Sequence, residues 1–195
     1  MTEGFSQWHV GDTIAQPRVA HTMRNVKLSQ KIQFEQWVPV EISRVFLFFA
    51  NPQNLPRIMP PTTETKLIEM KLVSPPDVAW KNGAGLADVG SEIITSFRLF
   101  KFPPIRSKWT ARITEFEWDH HFADLQVRGP FKRFLHRHEL RTEIRNGVEG
   151  TVVRDAVEFD AGYGFLGRLM EKFIAQQMRQ TFKYRQLKLE ELLEV

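Results

Sequence analysis

Two histidines and two acids stand where strand parity can bring them together. His136 and His138 are separated by one residue, so in an extended chain both point to the same side, in the company of Phe134 and Leu140. Asp155 sits in a second alternating run, Val153, Asp155, Val157 and Phe159. Between the runs lies Asn146-Gly147, a dipeptide in which both residues tolerate positive φ and which favours a two-residue hairpin turn. If Arg145 faces Val148 across that turn, His138 stands opposite Asp155 and His136 opposite Val157. A carboxylate beside an imidazole fixes its tautomer and raises its pKa, as a general base requires. The same pairing is also how a core satisfies two polar groups, and a bulge at 148–150 would slip the register. Structural pairing, ligand contact and acid/base catalysis by His138 oriented by Asp155 therefore stand side by side.

Other residue types add less. Phe122, Asp124 and Gln126 share one face of the preceding strand. Asp124 with the two histidines would make a metal-ligand set, but two histidines at i, i+2 plus one carboxylate are a weak signature, and no metal or cofactor is assigned from it. Trp109 and Arg112 have opposite parity, so at most one points inward. Trp109 is the better cavity candidate; Arg112 would anchor an acidic head group if the parity were reversed. His120 and His121 fall at a turn and read as exposed. Gly162, Gly164 and Gly167 follow a strand but depart from the dinucleotide-binding spacing. No Ser–His–Asp order is persuasive.

The elements that must hold these groups follow from periodicity. Lys31 to Val38 alternates as a half-buried strand, and Pro39 closes it. Glu41 to Ala50 has helical spacing, and Pro52 to Met59 is a second short helix ended by Pro60-Pro61. Strands are then expected at Thr65–Val73, Ser91–Lys101, Ser107–Trp118, His121–Arg128, Lys132–Arg145 and Thr151–Asp160, with a polar loop from Pro75 to Val89. One amphipathic helix runs from about Phe165 to Leu193, with Leu166, Leu169, Met170, Phe173, Ile174, Met178, Phe182 and Leu189 in period. At 1.5 Å per residue it is on the order of 40 Å long, enough to cross a sheet diagonally. The order implies an α+β fold: a curled antiparallel sheet of six to seven strands around a long C-terminal helix, with two short helices after the first strand. One helix cannot fill such a groove, so a space between sheet and helix is expected.

Composition limits the function. The 195 residues are 42% hydrophobic and 12% aromatic, which suits one soluble globular domain. Cysteine is absent, which removes disulfides, thiolate zinc sites, iron–sulfur clusters and cysteine nucleophiles. The net charge is +4, with basic and acidic residues interspersed, so nucleic acid is an unlikely partner. No stretch reaches the roughly 20 apolar residues needed to cross a bilayer, nor do the first residues resemble a signal peptide, so a cytoplasmic location is expected. Residues 1–28 carry Gly4, Gly11 and Pro17 without a sustained period and read as an N-terminal appendage to a domain spanning 29–195.

Three stretches resemble a known family. Phe46 to Leu55 (FLFFANPQNL), followed by Met59-Pro60, is similar to its first helix and Asn-Leu turn. Phe122 to Leu140 (FADLQVRGPFKRFLHRHEL) resembles its Phe-x-Asp-x-Gln-x-x-Gly-Pro-Phe stretch leading into a His-x-His strand. Gly150 to Phe159 (GTVVRDAVEF) resembles its Gly-Thr-x-x-x-Asp-x-Val-x-Tyr strand, with Phe159 in place of Tyr. The family is the START-like, Bet v 1-like helix-grip superfamily of polyketide cyclases/dehydrases and lipid-transport proteins, in its bacterial ligand-binding SRPBCC branch. The resemblance implies a small apolar or amphipathic ligand (lipid, polyketide-like or quinone-like) held between sheet and C-terminal helix. The missing Tyr hydroxyl at Phe159 would remove one polar contact for it. The residues expected to line that space are Trp109, Phe122, Asp124, Gln126, Phe134, His136, His138, Asp155, Val157, Phe159 and Phe173. A cyclase- or dehydratase-type enzyme using His138 and Asp155 is the alternative, and a module docking on RNA, ribosomes or a protein is a second.

Overall fold

The computed structural model of the chain describes residues 30–73, 85–98, 105–162 and 164–195, apart from the side chains of residues 166, 168 and 169. Seven strands form one sheet: β1 (Gln30–Val38), β2 (Lys66–Lys71), β3 (Glu92–Arg98), β4 (Arg106–Glu117), β5 (His121–Arg128), β6 (Arg133–Arg145) and β7 (Val148–Asp160). The helices are α1 (Ile42–Ala50), α2 (Leu55–Ile58) and α3 (Gly164–Leu193). The sheet order is β1-β7-β6-β5-β4-β3-β2, antiparallel throughout. The expected architecture is therefore the observed one. The proposed appendage at 1–28, the Pro75–Pro76 segment and Pro103-Pro104 lie outside the described residues.

The β6–β7 hairpin is the frame for everything that follows. Asn146 (φ 52°) and Gly147 (φ 79°) both occupy the left-handed region that the two-residue turn requires. Pairing then runs without a break from Arg145↔Val148 to Arg133↔Asp160. The bulge considered at 148–150 does not occur, and β7 begins three residues earlier than expected, at Val148. Gly150 admits β1 to this hairpin. A Cβ there would stand 2.4 Å from the Val38 carbonyl oxygen and 2.7 Å from the Trp37 ring, whose Nε1 donates to the Glu143 carbonyl at 3.0 Å.

Helix α3 crosses the concave side. Its inward positions, Glu171, Ala175, Phe182, Leu189 and Leu193, recur at intervals of four or seven residues and are buried. Polar links fix it to β1 and α1: Gln36 Nε2 donates to the Gln186 carbonyl at 2.9 Å, Gln186 Nε2 to the Glu35 carbonyl at 3.1 Å, and Arg44 to the Leu193 carbonyl at 3.0 Å. Met170 and Phe173, read as part of the inner face, border the space between helix and sheet while 42% and 49% exposed. They lie at the border of the apolar stripe, one position before and two positions after the buried Glu171.

Two apolar clusters hold sheet and helices together. One joins α1 (Val45, Phe46) to β3–β7 and the end of α3, with Phe46 fully buried and edge-to-face against Phe116 and Phe122. Burying one such side chain contributes on the order of 2–3 kcal/mol. The other joins Ile32, Phe134, Val157 and Phe159 to Ala175 and Phe182. A cavity borders on both. Among the described residues, no helix is long and apolar enough to cross a membrane.

Candidate functional site

A cavity of about 520 Å³ lies between the sheet and α3, inside the range typical of small-molecule sites. Most of its wall is apolar. Trp109 meets Phe134 edge to face at 4.5 Å between centroids, and Phe131 closes on both at 5.7 and 5.4 Å. Ile174 and Met178 of α3 line the same space. The polar exceptions include Asp124 (β5), His136 and His138 (β6) and Arg185 (α3).

These groups are arranged around one carboxylate. Asp155, in the middle of β7, is paired by register with His138, as the hairpin predicts. Its Oδ1 lies 2.7 Å from His138 Nδ1, yet out of line with the ring N–H, so the contact is electrostatic and Nδ1 has no hydrogen-bond partner. The hydrogen bond of that oxygen goes diagonally to His136 Nε2, at 3.0 Å. His136 Nδ1 in turn lies 3.5 Å from Asp124 Oδ2. The two imidazoles are 4.1 Å apart between centroids, with His138 stacked on Phe122 and His136 edge-on to Phe182.

The electrostatics reverse one expectation. Burial pushes His138 down, the neighbouring His136 pushes it further, and its pKa falls to about 4 despite Asp155. For His136 burial also acts downward, but Asp124 and Asp155 on its two sides outweigh it and raise the pKa above the ordinary value. Asp155 resists burial through the two histidines and is held well below the usual carboxylate range. The imidazole that a carboxylate raises is thus His136 rather than His138. The physical reason is that His136 stands between two carboxylates, its register partner Asp124 and, by diagonal reach along the same face, Asp155.

Arg185 completes the group and has no place among the residues singled out from the sequence. It lines the cavity, stacks its guanidinium over Phe182 at 4.6 Å, and among the described residues makes no hydrogen bond or ion pair. Burial lowers its pKa while Asp155 and Asp124 oppose the shift; an arginine stays charged throughout. The available signal is its place on α3, three residues after Phe182 and four before Leu189, a charge at inner-face spacing.

Of the other candidates, Trp109, Phe122, Phe134 and Phe173 line the cavity, Phe173 while half exposed. Gln126, Asp155, Val157 and Phe159 do not. Gln126 has the right parity, but its amide spans the β5–β6 turn, donating to the Phe131 carbonyl at 2.7 Å and accepting from Phe131 N–H at 3.3 Å. Asp155 stands behind the histidines, in a small crevice with Gln36 and Arg185. Val157 and Phe159 are wholly buried, and Phe159 packs edge to face on Phe131, one of the residues of the wall. Arg112 turns away and bonds Glu92 at 3.1 Å. His121 is half-buried in β5 rather than exposed, with Glu115 and Glu117 at 3.6 and 3.4 Å.

Comparison with known proteins fits this geometry. Residues 38–185 match the family model described as polyketide cyclase/dehydrase and lipid transport. The chain belongs to this family. Several solved structures share its fold. The protein TTHA0849 of Thermus thermophilus aligns over 83% of this chain and 95% of its own, at 13% identity and a TM-score of 0.56. A START superfamily protein of Mycobacterium smegmatis aligns over 83% and 98%, at 8% identity and 0.55. Norcoclaurine synthase of Thalictrum flavum, solved with dopamine and hydroxybenzaldehyde, aligns over 85% and 87%, at 15% identity and 0.55. At these identities the likeness is one of fold. Comparison with curated proteins returns no match.

Proposed function

We propose that this family member binds a small amphipathic molecule, with its apolar body against Trp109, Phe131 and Phe134 and its polar head toward Asp124, His138 and Arg185. The observation that supports this most is the cavity itself: about 520 Å³, aromatic over much of its wall, with Asp124, His136 and His138 on two adjoining strands and Arg185 on the facing helix. A lipid, polyketide-like or quinone-like molecule has that division of polarity. Apolar area supplies affinity and a few fixed polar groups orient the ligand.

The test is native mass spectrometry of the full chain purified without detergent, followed by denaturation and identification of what is released. A discrete mass at one per chain is expected. An empty protein that also takes up no 1-anilinonaphthalene-8-sulfonate or fatty acid overturns the reading.

A second reading is favoured by one observation. His138 is neutral at pH 7 and is held beside Asp155, while its Nδ1 makes no hydrogen bond among the described residues. A neutral imidazole lining a cavity is free to take a proton, but with a pKa of about 4 it is a weak base that needs its neighbouring carboxylate to stabilise the cation formed. The fold likeness to norcoclaurine synthase, an enzyme, supports this reading. Turnover lost in His138→Gln, with binding retained, would support it.

A further inference from the structure

We propose that Asp124, His136 and His138 form a binding site for one divalent transition-metal ion, with Asp155 as the carboxylate that orients both histidines. One ligand atom from each of the three residues lies within 4.8 Å of the others. His136 Nδ1 and Asp124 Oδ2 are 3.5 Å apart. Two ligands bound at 2.0–2.1 Å and a tetrahedral angle stand about 3.4 Å apart, so this pair already has the spacing of a shared ion. Asp124 is the least enclosed of the three, so its carboxylate has the most room to adjust to an ion.

The arrangement behind the trio is the stronger argument. A metal-bound histidine nearly always gives its second ring nitrogen to a carboxylate or carbonyl, which fixes the tautomer. Here a single oxygen of Asp155 stands beside both rings, hydrogen-bonded to His136 Nε2 at 3.0 Å and in out-of-line contact with His138 Nδ1 at 2.7 Å. That leaves His136 Nδ1, a nitrogen of His138 and the Asp124 carboxylate on the cavity side. Two imidazoles and one carboxylate suit zinc, cobalt or nickel better than calcium or magnesium. Three protein ligands leave a coordination position facing the cavity, as catalytic rather than structural sites do. The orphaned Nδ1 of buried His138 is accounted for as well: coordination turns the ring, and a small turn brings the N–H into line with Asp155.

Charge sets what the filled site attracts. Asp124 and Asp155 contribute two negative charges and Arg185 one positive, so a divalent ion leaves a positive excess. An anionic oxygen on the ligand, carboxylate or enolate, would complete both coordination and neutrality. The metal site does not depend on the identity of the cavity's organic ligand, and its test is separate.

The full chain, without an affinity tag, is stripped with chelator and titrated with cobalt(II) and with zinc(II). Calorimetry and elemental analysis read the stoichiometry, and visible absorption reads the cobalt environment. We expect one ion per chain with nitrogen-ligated, four- or five-coordinate cobalt bands. Asp124→Asn and His138→Gln should each weaken binding at least tenfold, and Asp155→Asn by about 10–100-fold without touching the ion. Circular dichroism reports whether each variant keeps its fold. Three results overturn the proposal: no uptake by the folded wild type, only the spectrum of hydrated cobalt, or uptake unchanged in a folded Asp124→Asn/His138→Gln variant. The last would place the ion elsewhere, for instance at His9, His21 or the His120-His121 pair.

Discussion

His136 Nε2 and Asp155 Oδ1 are hydrogen-bonded at 3.0 Å although the two residues are not backbone partners. The residue that register sets opposite Asp155 is His138, and it is left with a close but misaligned contact. The two imidazoles, two positions apart on one strand, therefore titrate in opposite directions.

That opposition has a signature in stability, measured by denaturant unfolding of the metal-free protein in chelator. An unfolded histidine titrates near 6.5. The folded value of His138 is lower, so its contribution is fully present above pH 6.5 and is lost as pH falls toward about 4. The folded value of His136 is higher, so its contribution is fully present below pH 6.5 and is lost as pH rises through the folded value. Each slope approaches about 1.4 kcal/mol per pH unit at most. His138→Gln should flatten the acid limb and His136→Gln the alkaline one. Unchanged limbs in both variants would contradict the assignment.

Gly150→Ala should destabilise the fold without altering the cavity. The added methyl meets a backbone carbonyl and an indole ring that is itself hydrogen-bonded, so neither neighbour yields cheaply. Overpacking of this kind costs about 1–3 kcal/mol. Thermal unfolding should show the midpoint falling by several degrees, and a midpoint equal to wild type would refute the close approach.

Ala111→Trp should close the cavity. Ala111 lines it from β4, and an indole there would take up much of the space beside Trp109. Binding of 1-anilinonaphthalene-8-sulfonate is expected to drop more than tenfold while far-ultraviolet circular dichroism is retained. Retained binding would mean that the probe uses another surface.

Arg185→Met separates the polar head from the apolar body. The substitution keeps an unbranched apolar stem and removes one cation that lines the cavity. A long-chain fatty acid should lose about tenfold in affinity, and the matching uncharged alcohol should change little. Equal losses for both would show that Arg185 acts through packing on Phe182 alone.

Local signals carry the fold and half of the site. Asn146-Gly147 fixes a turn, the turn fixes register, and register alone places His138 across from Asp155. Parity likewise sends Trp109 inward and Arg112 outward, where Glu92 receives it. Register describes backbones, however, and the hydrogen bond to His136 depends on how far a ring reaches along its face. Gln126 escapes parity for another reason: the turn that follows β5 consumes its amide. Arg185 lies on a helix far along the chain, so only the packing of α3 across the sheet brings it to the histidines.

The anchoring of the polar groups has a consequence for how this protein can diversify. Asp124, His136, His138 and Asp155 hang from three neighbouring strands, two of which form an unbroken ladder of thirteen residue pairs. Ile174 and Met178, by contrast, project from a helix that meets the sheet through side chains. Exchanges at those helix positions can reshape the chamber without disturbing the ladder. Selection can therefore retune which molecule fits while the chemistry at its head stays put, much as one lock body accepts many keyways.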